Sequence, residues 1–203
     1  MRQPLRHTLA LLAAWAVAAP AAAGSYVAVS VGESTAKDWS ADVLDDGSTI
    51  SNATAEDTDR ALRLAIGFAA SESLTFEVGY VDLGETTAAG DSDGTGVYWT
   101  PGPVERTAAV DGYDFGFVGR IPTSETFAVL ARVGVFMWDL KSRLNDGGGS
   151  FPGTVSGDDP FFGVGAELNV SESVAFRGEF VRYTVDDRDL DALSLSAILR
   201  FED

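Results

Sequence analysis

The chain has 203 residues, no cysteine and a formal net charge of −17. The lack of cysteine excludes a disulfide framework and thiol chemistry. So large an excess of acid excludes nucleic acid as a partner, because phosphates are bound by lysine and arginine. The length is enough for a single domain.

Residues 1–23 have the features of a secretory signal peptide. Arg2 and Arg6 form a charged start, residues 9–19 form a short apolar run, and three alanines before Gly24 offer a small-residue cleavage site. The run is well short of the ~20 apolar residues that a membrane-spanning helix needs. We therefore predict a cleaved signal over 1–23 and one domain over 24–203. The formal charge of that domain is −19, because the signal holds two arginines and no acid.

Eight segments of the remaining chain alternate apolar residues with small or charged ones. A period of two places alternate side chains on opposite faces of a strand. The first five predicted strands cover 25–33, 60–69, 74–83, 112–121 and 127–140. The stretch 161–183 supplies strands six and seven, and strand eight covers 193–201.

The connections between these strands alternate in length. Short Ser-Glu turns at 71–73, 124–126 and 171–173 recur about every fifty residues, which indicates an internal hairpin repeat. The other predicted connections are loops at 36–57, 84–108, 141–159 and 186–189, and the first three are long and polar. Outer-membrane barrels have this pattern of short periplasmic turns and longer outer loops.

The two faces of the predicted strands differ sharply. One face carries valine, leucine and phenylalanine, whereas the other carries glycine and full charges. In a membrane barrel the apolar face meets lipid and the polar face lines the interior. We predict an all-β fold, an eight-stranded antiparallel up-and-down transmembrane β-barrel. The alternative is a soluble lipocalin-like barrel or sandwich, in which the apolar faces would enclose a core and the charges would meet water.

Nine ionisable residues fall on the inner face of the predicted strands. They are Arg63, Glu77, Asp114, Arg120, Arg132, Glu167, Arg177, Glu179 and Arg200. Five are basic and four are acidic, so the lumen nearly balances in charge. The interior of an eight-stranded barrel is just wide enough for side chains. These groups are therefore either a structural plug of ion pairs or a gate whose pairs exchange to open a small pore.

Aromatic residues near the ends of the predicted strands are expected to form interfacial belts. They are Tyr26, Tyr80, Tyr113, Phe180 and Phe201.

Catalysis and a bound cofactor or metal are not expected. The only histidine, His7, lies in the predicted signal, so the exported chain lacks the base that most small barrel enzymes place beside a serine or acid. The stretch Asp91-Ser-Asp93-Gly94 resembles the start of a calcium loop, but Gly102 stands where that loop needs a bidentate glutamate. Diffuse association of divalent cations with the acidic loops is the remaining alternative.

Six stretches resemble the eight-stranded OmpA-like transmembrane barrel family of Gram-negative outer membranes. They are Gly67-Phe68, Phe76-Glu77-Val78-Gly79-Tyr80, Ala131-Arg132-Val133-Gly134, Pro160 to Leu168, Ala175-Phe176-Arg177-Gly178-Glu179-Phe180 and Leu195 to Phe201. The resemblance implies a narrow barrel that the barrel assembly machinery inserts, with Phe201 as its terminal aromatic. Many family members carry a peptidoglycan-binding domain after the barrel, and we do not expect that activity here.

In that family, a cluster of acids and bases blocks or gates the lumen. The resemblance places Glu77, Arg132, Glu167 and Arg177 at positions like those of the cluster. A lysine expected on strand four is replaced near Val118, and either Arg63 or Arg120 is the candidate substitute. The candidate lumen cluster therefore comprises Glu77, Arg132, Glu167, Arg177, Arg63 and Glu179.

The sequence leaves two functions open. The first is a structural role in the envelope, with weak, gated, porin-like conductance if the lumen cluster opens. The second is surface adhesion or recognition through the long acidic outer loops, since loops on a rigid scaffold often carry function. The expected partners are outer-membrane lipid and lipopolysaccharide, the barrel assembly machinery and a surface ligand, with no nucleic acid.

Overall fold

The computed structural model describes residues 24–37 and 39–201, which form nine strands and one single-turn 3-10 helix at Ala41–Leu44. The strands are β1 (Ser25–Ala36), β2 (Ile50–Glu56), β3 (Thr58–Ser71), β4 (Leu74–Ser92), β5 (Gly102–Pro122), β6 (Phe127–Asp146), β7 (Gly149–Asn169), β8 (Val174–Val185) and β9 (Arg188–Phe201). Within these ranges, no helix is both long and apolar enough to cross a membrane.

Eight of the strands close into a ring in which every neighbouring pair is antiparallel. β1 pairs with both β3 and β9, and β3 through β9 pair in chain order. Closure matters because it leaves no strand edge with unpaired backbone groups in lipid. The predicted eight-stranded up-and-down barrel is therefore confirmed. β2 precedes β3 in the same direction and pairs with residues 87–92 of β4, on the side of β4 where β3 pairs with residues 74–82.

The apolar face of the strands points out of the barrel. Val31 and Val164 are 56% and 58% exposed, whereas the charged residues Arg132 and Glu167 are 3% and 1% exposed. A soluble barrel would show the opposite distribution, since burying unpaired charge and exposing apolar surface are both unfavourable in water. The soluble lipocalin-like alternative is therefore wrong.

Outward-facing charges mark the outer limit of this apolar band. Glu33 pairs across the sheet with Arg60, Asp82 pairs with Asp111, and Asp111 pairs with Asp139. The pairings place Asp82, Asp111 and Asp139 side by side on β4, β5 and β6, and Glu33 beside Arg60 on β1 and β3. Beyond these charges the strands extend by different lengths. β4 to β7 have 19, 21, 20 and 21 residues, whereas β1, β3, β8 and β9 have 12 or 14.

Two of the three segments that the sequence predicts as long loops, 84–108 and 141–159, are mostly strands, and the loop prediction is wrong for these two. The β4–β5 and β6–β7 pairings continue through 85–92 with 102–109 and through 141–146 with 149–154. Segment 36–57 contains β2 and the 3-10 helix. Above the membrane the outward face of a strand meets water instead of lipid, so the apolar alternation stops although the backbone ladder does not. The connections of the β4–β5 and β6–β7 hairpins are therefore short, at 93–101 and 147–148.

The three short Ser-Glu turns are confirmed. The first serine of each turn accepts a backbone N–H through its hydroxyl oxygen, from Ser73 to Ser71, Phe127 to Ser124 and Val174 to Ser171. The predicted loop at 186–189 is shorter than expected. Asp186 and Asp187 form a two-residue connection with φ of 51° and 63°, the left-handed geometry of a type I′ hairpin turn.

Candidate functional site

All six residues of the candidate lumen cluster lie buried in one connected network inside the barrel. Their side chains converge because each occupies the inner face of its strand, at neighbouring heights around the ring. The network also includes three inward charges that the sequence identified outside that cluster, Asp114, Arg120 and Arg200.

Glu77 on β4 contacts three arginines. Its carboxylate oxygens lie 2.7 Å from Arg177 Nη1, 2.9 Å from Arg63 Nη2 and 3.4 Å from Arg132 Nη2. Glu77 is 1% exposed, so these partners replace the water that a carboxylate would otherwise need. Removing this one carboxylate would leave buried positive charge without compensation.

Asp114 on β5 forms the second centre of the network. Arg63 binds it in a bidentate manner, at 2.7 Å through Nε and 2.9 Å through Nη2, and Arg132 Nη2 lies 3.1 Å away. The cross-strand partner of Asp114 is Gly79. A Cβ at Gly79 would lie 2.6 Å from Asp114 Oδ1, so the pair requires glycine at that position.

Glu167 on β7 connects the network to the periplasmic end. Arg177 Nη2 lies 2.9 Å from one carboxylate oxygen, and Arg120 Nε and Arg200 Nη2 lie 3.0 and 2.5 Å from the other. The sequence left open whether Arg63 or Arg120 replaces the expected lysine. Both arginines belong to the network, Arg63 at its centre and Arg120 at its partly exposed lower edge.

Glu179 is bound more loosely than the other acids. Arg132 Nη1 and Arg177 Nη1 lie 3.7 and 4.0 Å from its oxygens. Among the residues that the structure describes, Glu179 Oε1 and Arg132 Nε have no hydrogen-bond partner.

Tyr26 belongs to the lumen, and its prediction as a belt residue is wrong. Its hydroxyl donates to Glu77 and accepts from Arg177 Nη2 at 3.2 Å, and the residue is 6% exposed. Tyr26 shares the inward parity of Ala28, and Gly67 on the paired strand leaves room for its ring. The other four predicted belt residues, Tyr80, Tyr113, Phe180 and Phe201, are at least partly exposed.

An aromatic layer closes the lumen above the charges. Phe136 and Phe161 pack on Tyr183 with ring centroids 4.9 and 5.5 Å away, and Trp138 completes the layer. The Arg132 guanidinium lies 5.1 Å from the Phe161 ring and joins the two layers through a cation–π contact. A void beside Arg63 measures about 20 Å³, which is room for roughly one water.

A cap with an apolar core and hydrogen-bonded connections covers the outer end of the barrel. Trp39, Leu44 and Trp99 form its small core, and Trp99 Nε1 donates to the Leu44 carbonyl at 2.7 Å. Asp46 accepts backbone N–H groups of Tyr98 and Trp99 at 2.7 and 2.9 Å.

Three aspartates order the connections of this cap. Partial burial raises the pKa of Asp46, but the backbone donors outweigh it and hold the pKa well below its usual range. A hydrogen bond from the Thr95 hydroxyl lowers the pKa of Asp93 to about 2. The Thr100 backbone N–H lowers the pKa of Asp146 in the same way.

In the stretch that resembles a calcium loop, the aspartates accept hydrogen bonds from other groups of the chain. Asp93 Oδ1 accepts the backbone N–H groups of Thr49 and Thr95 at 3.1 and 3.0 Å, and Asp91 Oδ2 accepts from Asn52. In the part of the chain that the structure describes, no three acids, histidines or cysteines are grouped as metal ligands.

The comparisons with known proteins agree with this architecture. The sequence model of the OmpA-like transmembrane domain matches residues 20–193. Ail, the attachment invasion locus protein of Yersinia pestis, solved with the heparin analogue sucrose octasulfate, is similar with a TM-score of 0.51 and 12% identity, over 89% of this chain and 100% of that one. Neisserial surface protein A gives a TM-score of 0.47 and 11% identity, over 87% of this chain and 97% of that chain.

The N-terminal β-barrel domain of Pseudomonas aeruginosa OprF gives a TM-score of 0.47 and 9% identity, over 87% and 97% of the two chains. No curated protein matches the sequence. The family match covers most of the chain, and the fold is a closed ring of eight strands with an apolar exterior. The chain therefore belongs to the OmpA-like transmembrane domain family and is an outer-membrane β-barrel.

Proposed function

We propose that the protein is a closed barrel that works at the cell surface as a recognition protein, with its outer end as the binding face. The observation that carries this proposal is the double closure of the lumen, by the charge network and by the aromatic layer above it. The residues above the membrane, in contrast, form an ordered and extended surface.

A gated pore is the less favoured function for energetic reasons. Opening would separate Glu77 from three arginines and would also displace the aromatic layer around Tyr183. Removing one partner of a buried ion pair costs roughly 3–5 kcal/mol, and the apolar packing adds to that cost. The network therefore acts as a structural plug in this proposal.

The outer end offers a surface suited to a basic partner. We call the segments 39–57, 84–108 and 141–159 the outer platform, and acids outnumber bases in each of them. At its tip Val97, Tyr98 and Phe151 are 77%, 79% and 56% exposed. The charged residues in the wall of a groove of about 360 Å³ beside them are three acids and one base, Asp45, Asp46, Asp146 and Arg106. Exposed aromatics next to complementary charge are the usual anchors of a protein interface.

The charge also indicates which partner to test. Ail was solved with a sulfated, anionic ligand. The outer platform of this chain is acidic, so we expect it to repel sulfated glycans and to bind cationic amphipathic chains instead.

The test uses Gram-negative cells that display the protein, with surfaces coated by a Lys/Leu amphipathic peptide or by a sulfated polysaccharide. We expect retention on the peptide only. A triple variant, Val97→Ser, Tyr98→Ser and Phe151→Ser, keeps every charge and should lose most of that retention, whereas Val170→Ser at the opposite, periplasmic end should not. Equal retention by the triple variant, or preference for the sulfated surface, would overturn the proposal.

Export and insertion belong to the same proposal. Residues 1–23 lie outside the described part of the chain, and we propose that they are removed before Gly24. We further propose that the barrel assembly machinery inserts the domain, with lipid and lipopolysaccharide around its apolar band. Sequencing the N-terminus of the protein from outer membranes tests the cleavage, and a mature start other than Gly24 would contradict it.

A further inference from the structure

A second site lies inside the outer mouth of the barrel, between the aromatic layer and the cap. It is a cavity of about 190 Å³, somewhat larger than the ~150 Å³ apolar cavity that is known to hold benzene. Its apolar walls are Ala36, Leu83, Ala108, Val110, Leu140 and Leu190. The exposed residues Val155 and Arg188 also line it, so the cavity reaches the surface.

Two buried donors in the cavity wall have no partner. Trp39, which is 8% exposed, lines the cavity, and among the described residues its Nε1 has no hydrogen-bond partner. The same holds for Nε of Arg106, whose guanidinium lies 5.8 Å from the Trp39 ring. Arg106 Nη1 donates to the Val43 carbonyl at 3.0 Å. Buried donors without acceptors are rare in folded proteins and call for a ligand or water.

Two arginines, Arg106 and Arg188, make part of the cavity wall positively charged. Burial lowers the pKa of Arg106, and the nearby Arg188 lowers it further. Across residues 24–37 and 39–201, neither arginine has a carboxylate within ion-pair distance. Asp189 also lines the cavity, but its carboxylate is bound by Arg182 at 3.2 Å. Asp186 lies in the exposed β8–β9 turn. An anion between the two arginines would supply the missing acceptor.

We propose that this cavity binds a small amphipathic carboxylate, such as a short fatty acid or an aromatic acid. The apolar part of the ligand occupies the cavity beside Ala108 and Leu140. Its carboxylate accepts from Arg106 and Trp39 and pairs with Arg188 at the mouth. This site is separate from the exposed tip of the outer platform, so either proposal can fail without the other.

The test measures quenching of tryptophan fluorescence by 6-bromohexanoate, with the protein in phosphatidylcholine nanodiscs. The neutral analogue 6-bromohexanol is titrated in parallel. We expect saturable quenching by the carboxylate and at least about tenfold weaker binding of the alcohol, because a hydrogen bond to a charged group is lost. Trp39→Phe assigns the signal to the cavity.

Variants separate this site from partition into lipid. Arg106→Gln should weaken carboxylate binding by about tenfold or more, whereas Arg143→Gln, on an exposed arginine outside the cavity, should not. Ala108→Leu should abolish binding by filling the cavity, and Ser142→Leu serves if that variant does not fold. Quenching that is linear in ligand and equal in all variants would overturn the proposal. Equal affinity for the alcohol would refute the assignment of a carboxylate.

Discussion

At the scale of single residues, the Glu77 carboxylate contacts three arginines that are themselves buried in the lumen. We predict that Glu77→Ala lowers the free energy of unfolding by roughly 3–5 kcal/mol, because three buried arginines lose a shared counter-charge. Urea titration of the barrel in phospholipid vesicles measures this. Glu85→Ala, on an exposed residue of the same strand, is the matched control, and an equal effect from both would contradict the network.

Gly79 provides a test of packing within the same network. We predict that Gly79→Ala destabilises the barrel by about 1–3 kcal/mol, because the new methyl group would displace Asp114 from Arg63. Gly178→Ala is a matched control, since a Cβ at that position meets no atom within 4 Å. Parallel unfolding curves for the two variants give the comparison, and indistinguishable midpoints would refute the packing argument.

Sequence alternation predicts which face a residue occupies but not its height in the barrel. It placed all nine lumen charges on the inner face, including Asp114. It could not show that Asp114 lies beside Arg63 and Arg132, because the stagger between strands sets which inward residues meet. The error on Tyr26 has a different source, since its aromatic character suggested a belt although its parity with Ala28 indicates the lumen.

At the scale of elements, the cap should loosen in acid. Hydrogen bonds lower the pKa values of Asp46, Asp93 and Asp146 in the folded state. A lowered pKa adds stability that is present above the ordinary aspartate value of about 3.9 and is lost as the pH falls through the folded value. We predict a reversible change in fluorescence of the cap residues Trp39 and Trp99 between about pH 4 and pH 2.

Variants identify the groups responsible for this acid transition. Asp46→Ala should give the loosened cap already at neutral pH, because Tyr98 and Trp99 lose their acceptor. Asp158→Ala removes an acid elsewhere on the outer end and should titrate like the parent. A transition above pH 5, or none at all, would contradict the role of these aspartates.

The part of the β6–β7 hairpin that extends beyond the membrane should be dispensable for folding of the barrel. Arg143 and Pro152 face each other across it, so deleting 143–152 and closing the hairpin leaves the membrane-spanning ladder intact. We predict that the shortened protein still migrates differently on a gel before and after boiling, as a folded barrel does. Loss of that difference would mean that the outer strands are needed for folding.

This hairpin also shows why the strands predicted from the sequence are too short. Segment 141–159 lacks apolar alternation because its outward face meets water instead of lipid beyond the charges of Asp111 and Asp139. Its hydrogen-bonded ladder depends on the neighbouring strand and not on side-chain polarity. Periodicity therefore predicts the membrane-embedded part of each strand, and the extension above it becomes visible only in the structure.

At the scale of the whole molecule, two closed layers within an apolar cylinder support the proposal that the protein acts through its outer end. The charge network alone would leave gating possible, since ion pairs can exchange partners. Exchange of ion-pair partners would not by itself open a pore, because a separate aromatic layer also closes the lumen. This layer consists of Phe136, Trp138, Phe161 and Tyr183.

Conductance in a planar lipid bilayer tests this central claim most directly. We predict silence from the inserted parent and from the Glu77→Ala, Arg177→Ala double variant, whose aromatic layer still closes the lumen. Channels should appear only when Phe136→Ala and Tyr183→Ala are added to the double variant. Those channels would also show that the protein inserts into the bilayer under the conditions used. Discrete channels in the parent, with a size or open frequency that changes in the double variant, would instead mean that the charge network is the gate of a pore.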